Sequence, residues 1–127
     1  MRHHMYIQTT GKFYIFYDTN QSNDVAQCYA GNGKGLNNGD MENIEDVGPL
    51  PVGFYNIGKP VDSAELGPMV MMLDPWKPLY GRGHFWIHGD NNFGNKSASK
   101  GCVIMPRMFR NMVAQSGINV LAVVRYE

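Results

Sequence analysis

Apolar and polar positions alternate in short runs along most of the chain, the period of two expected of strands with one buried face. Residues 5–9 and 12–18 are rich in Tyr, Phe, Ile and Thr, and Thr10-Gly11 between them predicts a hairpin turn. Residues 25–30 predict a third strand. From 31 to 48 the alternation stops and Gly and Asn dominate, which predicts a long surface loop, either a binding or lid loop or a disordered insertion. Gly48-Pro49-Leu50-Pro51-Val52-Gly53 reads as a rigid turn into a strand at 54–58. A further strand is predicted at 68–73, with Met69, Met71 and Met72 filling the core. Pro75, Pro78, Gly81 and Gly83 mark another turn region before a strand at 84–88, a polar loop at 89–100 and a short apolar segment at 102–105. Helical spacing occurs at 106–115, where Met108, Met112 and Val113 share a face, Pro106 suits the first turn and Gly117 the stop. Residues 120–124 form a closing strand. Seven or eight short strands and one helix predict a mainly β fold, a sandwich or barrel.

Composition narrows this picture. A chain of 127 residues has room for one core, so residues 1–127 are expected to form one domain. With 43% hydrophobic and 17% charged residues, it is too apolar for a disordered tail. Eleven basic and eleven acidic side chains cancel without a run of either sign, which argues against a nucleic-acid partner. No apolar run approaches the roughly 18 residues of a membrane span, so no membrane insertion is expected. The start lacks the pattern of a secretory signal, which leaves cytoplasmic action or carriage by another export system. Met1-Arg2-His3-His4 is either native sequence or a tag remnant and receives no functional role.

The candidate chemistry lies in two cysteines and their settings. Cys28 sits in an alternating apolar segment and reads as a buried structural thiol. Cys102 follows Gly101 in a loop and precedes an apolar segment, which puts its sulfur at an element edge. A thiol needs a base, and His88, at the end of an apolar strand and before Gly89, can supply one if the intervening loop folds back. Gly101 allows close backbone approach, and the N–H groups there can meet an oxyanion. Cys102 is expected to have a depressed pKa through His88 and Lys100. Two alternatives stay open. His84 and His88, four apart on a predicted strand, can face one side and bind zinc with Asp90 or Cys102. A non-catalytic binding module is the other.

His88-Gly89, a polar loop, and Ser99-Lys100-Gly101-Cys102-Val103 resemble the signature of the L,D-transpeptidase family. The Gly-rich segment, the Gly48–Phe54 turn and the 87–106 block are most similar to its type VI secretion L,D-transpeptidase/carboxypeptidase effector branch. The resemblance implies a β-rich L,D-transpeptidase-type fold with one short helix after the cysteine, and a cofactor-free cysteine acyl-enzyme. The implied reaction releases or exchanges the D-alanine at position 4 of a peptidoglycan stem peptide. Cys102 would be the nucleophile and His88 the base, with the Gly89 carbonyl orienting the imidazole. Ser99, Gly101 and Cys102 would form the oxyanion side, and Asp90, Ser97 and Lys100 would meet substrate. An effector implies delivery by secretion machinery without a signal peptide, action in the periplasm of a target bacterium, and a cognate immunity protein. The chain departs from the pattern at Lys100, where histidine is commoner, and at Ile104, where many members carry arginine; Arg107 is a candidate replacement.

Overall fold

The alternating runs pair into a single curled mixed sheet in the computed structural model, which describes residues 2–127; Met1 lies outside the described residues. Strands β1 (His4–Ile7) and β2 (Lys12–Phe16) form the hairpin around Thr10-Gly11, and β3 (Asn23–Gln27) extends it antiparallel. Strands β4 (Gly53–Ile57), β5 (Val61–Ser63), β6 (Gly67–Pro75), β7 (Phe85–His88) and β8 (Val103–Ile104) follow, then helix α1 (Arg107–Gln115) and β9 (Val120–Val124). The sheet order is β3-β2-β1-β9-β4-β6-β7-β8, with β5 paired to β6 outside that path. The last strand in sequence thus lies in the middle, parallel to β1 and antiparallel to β4. This explains its unbroken apolar run Val120-Leu121-Ala122-Val123, which is buried on both faces.

The ends of the sheet meet. Tyr29, two residues beyond β3, bridges Ile104 of β8 through backbone bonds of 3.4 and 2.9 Å. That contact draws the two outer strands together and caps edges that would otherwise present unpaired backbone. Tyr6, Phe13, Tyr55, Leu73, Ile87 and Leu121 fill the interior, and α1 lies across β6, β2 and β7.

Three expectations are corrected. The 31–48 segment is packed, not a mere surface loop. It contains 3-10 turns at Gly33–Gly35 and Gly39–Met41. Gly35 and Gly48 are buried against the carbonyls of Val47 and Met41, an approach that any side chain would block. Of the three methionines assigned to the core, Met71 is buried but Met72 is 48% exposed, because adjacent strand residues face opposite ways. On α1, Met108 is exposed while Arg110 and Val113 turn inward.

His4 belongs to the fold. It is fully buried in β1; Phe16 N–H donates to its Nδ1 (3.1 Å), and its Nε2 lies 3.0 Å from the Ile118 carbonyl. These partners fix a neutral ring protonated at Nε2, and burial brings its pKa down to about 4. The unfolded chain takes up this proton near 6.5. Between the two values the unfolded state binds more protons, so stability is full above pH 6.5 and declines as pH falls toward 4, by on the order of 3 kcal/mol. In His4→Leu, urea unfolding should show about 1–2 kcal/mol less stability at pH 7, from the Phe16 N–H left unpaired and the Ile118 carbonyl left with the Ser116 hydroxyl (3.2 Å) as its side-chain donor. It should also show a flatter dependence between pH 6.5 and 4; an unchanged acid slope would assign that dependence to another group.

Candidate active site

The side-chain alternation of β7 decides what meets in the cleft. Phe85 and Ile87 enter the core, so Trp86 and His88 point to the other face. Strand β8 runs parallel to β7 with Ile87 opposite Val103 and His88 opposite Ile104. Val103 joins the core, and Cys102, just before β8 and level with Trp86, therefore shares a face with His88. Adjacent strands and a two-residue offset separate their Cα atoms by roughly 8 Å. Both side chains line one cleft of about 820 Å³, together with Arg82, His84, Lys100, Glu45 and Asp46. A smaller adjoining cavity is lined by His88, Gly89, Asp90 and Ser97.

His88 is 5% exposed, and its Nδ1 lies 2.8 Å from the Gly89 carbonyl. A carbonyl only accepts, so Nδ1 carries the proton and Nε2 keeps its lone pair. Burial lowers the His88 pKa, the Gly89 bond raises it, the Arg110 charge lowers it and Asp90 raises it, with a net downward shift. Cys102 is 9% exposed, with Sγ 3.7 Å from the His84 carbonyl. Burial pushes its thiol up to about 11, against the opposing pull of the Trp86 backbone and of Arg82. The expected depressed thiol pKa is thus reversed, because desolvation outweighs both. At neutral pH the site holds a thiol beside a neutral imidazole.

The other predicted residues divide between cleft and scaffold. Lys100 is exposed at the rim. Ser99 is fully buried, and its hydroxyl is saturated: it accepts from Gly31 N–H (2.9 Å) and Gly101 N–H (3.0 Å) and donates to the Cys102 carbonyl (2.6 Å). It ties the Gly-rich segment to the cysteine loop and does not line the cleft. Gly101, expected on the oxyanion side, commits its N–H to Ser99; the Cys102 N–H enters none of these bonds. Asp90 makes no bond to His88. Its carboxylate accepts from the Tyr29 hydroxyl (2.7 Å) and the Asn91 N–H (2.9 Å). Ser97 bonds Asn91 and Asn95 within the exposed loop.

Sequence reasoning missed Tyr29, Asn32, Arg82 and Arg110. The Tyr29 hydroxyl holds Asp90 and accepts from Ala98 N–H (3.2 Å), pinning both ends of the loop that joins β7 to β8. Asn32 donates to the Ser99 and Asp46 carbonyls, both at 2.8 Å. Arg110, buried on α1, lies against Gly89. Arg107, offered as a replacement for the family arginine, is exposed on α1, and the guanidinium beside Gly101 belongs to Arg82. No signal in the sequence marked these residues beyond their polarity.

The zinc alternative loses its geometric premise. His84 has φ +57 and lies outside β7, so strand alternation no longer places it with His88. Among the described residues no three His, Cys, Asp or Glu side chains form a group able to hold a metal ion.

A protonated, buried Cys102 predicts slow alkylation. With iodoacetamide at pH 7 under reducing conditions, its modification should be roughly tenfold or more slower than that of free cysteine, read by peptide mass mapping. A rate equal to or above the free thiol's would reveal a resting thiolate.

A search of curated proteins finds no match. Among solved structures, the helical cell shape determining protein Pgp2 from Campylobacter jejuni is similar in fold, with a TM-score of 0.64 at 18% identity. The alignment covers 98% of this chain and 47% of that protein, so the chain spans about half its length. The Tlde1 domain family model matches residues 24–125, from β3 through β9 and including every cleft residue named above. The chain therefore belongs to the Tlde1 domain family, the type VI secretion L,D-transpeptidase effectors that its cysteine motif resembles.

Proposed function

We propose that this protein is a cysteine-dependent L,D-carboxypeptidase/L,D-transpeptidase acting on position 4 of peptidoglycan stem peptides. The observation that carries the reading is the shared face of Cys102 and His88, with Nδ1 bound to the Gly89 carbonyl so that Nε2 is free to act as base. Membership of a family that acts on peptidoglycan supplies the substrate class.

In this reading His88 Nε2 takes the Cys102 thiol proton as Sγ attacks the carbonyl carbon of the third stem residue. The resulting oxyanion meets the Cys102 N–H. The intermediate collapses with cleavage of the C–N bond to D-alanine, and His88 returns the proton to the leaving amine. A thioester on Cys102 remains. Water attacks it in the carboxypeptidase reaction, or an amine such as a D-amino acid in exchange; His88 removes the attacking proton and the thiol is restored. The raised thiol pKa fits this order, since proton transfer accompanies attack. The cleft offers both signs of charge, Glu45, Asp46 and Glu65 against Arg82 and Lys100. A stem peptide with a diamino acid and free carboxylates matches that pattern. Delivery by type VI secretion into a target periplasm, and an immunity protein covering the cleft, complete the proposal.

Tetrapeptide-stem muropeptides incubated with the reduced wild type should lose their terminal D-alanine or exchange it for an added D-amino acid, read by mass spectrometry. Cys102→Ala and His88→Gln should each lower this by about a thousandfold or more. The wild-type rate should rise with pH through a transition below the ordinary histidine value of about 6.5, because His88 must be neutral to act. No turnover by the wild type would favour a binding module. Turnover that survives in Cys102→Ala but stops with a chelator would favour zinc.

A further inference from the structure

Resting on the reading of Cys102 as nucleophile, we propose that Arg82 is the positioning residue of this site. Its guanidinium locks the cysteine loop to the Gly-rich wall and holds an unpaired positive charge where the reaction makes negative charge.

Local sequence sets the arginine. Leu79-Tyr80-Gly81-Arg82 is a tight turn closed by Arg82 N–H to the Leu79 carbonyl (2.9 Å). Both central residues have positive φ, +56 at Tyr80 and +69 at Gly81, the pattern of a type I′ turn. The side chain is 8% exposed, with its guanidinium carbon 5.4 Å from the Phe85 ring centre. One terminal nitrogen donates to the carbonyls of Glu42 (2.6 Å) and Pro49 (2.9 Å), the other to those of Gly48 (3.1 Å) and Lys100 (3.2 Å). Three of these lie at the end of the Gly-rich wall, and the fourth lies two residues before Cys102. A planar fork with fixed donors suits such a junction, whereas a lysine presents one point charge.

All four partners are neutral carbonyls. The carboxylates whose field reaches the guanidinium, Asp46 and Glu45, form no ion pair with it, and that of Glu42 accepts instead from Gln8 (2.8 Å), the Val52 N–H (3.0 Å) and Tyr80 (2.8 Å). Among the described residues Arg82 forms no ion pair. Burying a charge without a counter-charge is costly, and here the cation faces the cleft. It also lies directly against Gly101, where φ is +128 and a side chain would run into the guanidinium. Glu45, Asp46, Glu65, His84 and Lys100 around the cleft are all exposed to solvent, and His88 is buried but neutral. Asp46 and Glu45 act on Arg82 from solvent-exposed positions, and the buried Tyr55 hydroxyl donates to the Pro51 carbonyl; the buried group beside Arg82 that the proposed reaction charges is Cys102, as thiolate, with the oxyanion that follows it.

Two variants test this, each checked for folding by circular dichroism. Alkylation of Cys102 across pH 7–10 needs no peptidoglycan, so it judges Arg82 separately from the proposed reaction. Arg82→Gln should slow alkylation at pH 8 about five- to tenfold by moving the thiol transition upward; a rate matching wild type would overturn the role of the charge. Arg82→Lys keeps the charge and loses the fork. Its alkylation should stay within about twofold of wild type while D-alanine release falls about ten- to a hundredfold in kcat with little change in KM. Wild-type kcat in Arg82→Lys would overturn the positioning role. If Arg82→Gln does not fold, Arg82→Met, which keeps the apolar stem and removes the charge, takes its place with the same expected slowing, and a rate matching wild type would again overturn the role of the charge. Should the wild type release no D-alanine, the reaction fails as proposed while the alkylation rates still decide whether Arg82 controls Cys102.

Discussion

Strands β7 and β8 run parallel with Ile87 against Val103, and the candidate site depends on that register. The two apolar residues enter one core, which sends His88 and Cys102 to the opposite, cleft-facing side. A slip of one residue in either strand would put His88 or Cys102 into the core and an apolar side chain into the cleft. Yet β8 has only two residues. It is held by β7 on one side, by the Tyr29 bridge on the other, and by the Met105 N–H on the His88 carbonyl (2.9 Å). Parallel neighbours commonly need a helical crossover, and here a polar loop makes the connection. Its ends are fixed by one tyrosine hydroxyl that holds Asp90 and Ala98.

The same packing sets the electrostatics. Enclosing Cys102 and His88 raises the cost of charging either, so the resting pair is neutral, and orientation through the Gly89 carbonyl replaces a carboxylate partner. The buried charge of the site is that of Arg82, which faces the cleft from a cage of carbonyls. Such an arrangement keeps the resting thiol protonated and, in the proposed reaction, sets a fixed positive charge near the anion formed at Cys102. Arg110, buried beneath Gly89, adds a second cation behind the histidine and helps to keep it deprotonated.

The Gly-rich segment links these features to the fold. Its glycines permit backbone-to-backbone packing, and its chain supplies the Gly31 N–H for Ser99, the Asn32 amide for the Ser99 carbonyl, and carbonyls for Arg82. Composition suggested looseness because glycine and asparagine disfavour regular structure. In the fold those residues make a tightly bonded wall without it, since close approach and side-chain amides replace strand pairing.

The sequence by itself determined the strands with clear alternation, β1, β2, β4, β6, β7 and β9, together with helix α1 and its stop at Gly117. Periodicity is local and survives without knowledge of neighbours. His88 and Cys102 were legible as candidates from their settings, and the resemblance implied the Gly89 carbonyl at the imidazole; the structure places both side chains on one cleft and that carbonyl 2.8 Å from Nδ1. Strand β5 was not, being three residues long and defined by its partner β6. Only the tertiary structure decided the protonation of the pair, since desolvation depends on everything packed around it. It alone recruited Tyr29, Arg82 and His4, whose partners lie 61 residues away at Asp90, 40 at Glu42 and 114 at Ile118. Contacts across such distances leave no local pattern; they exist because the sheet curls until its ends meet.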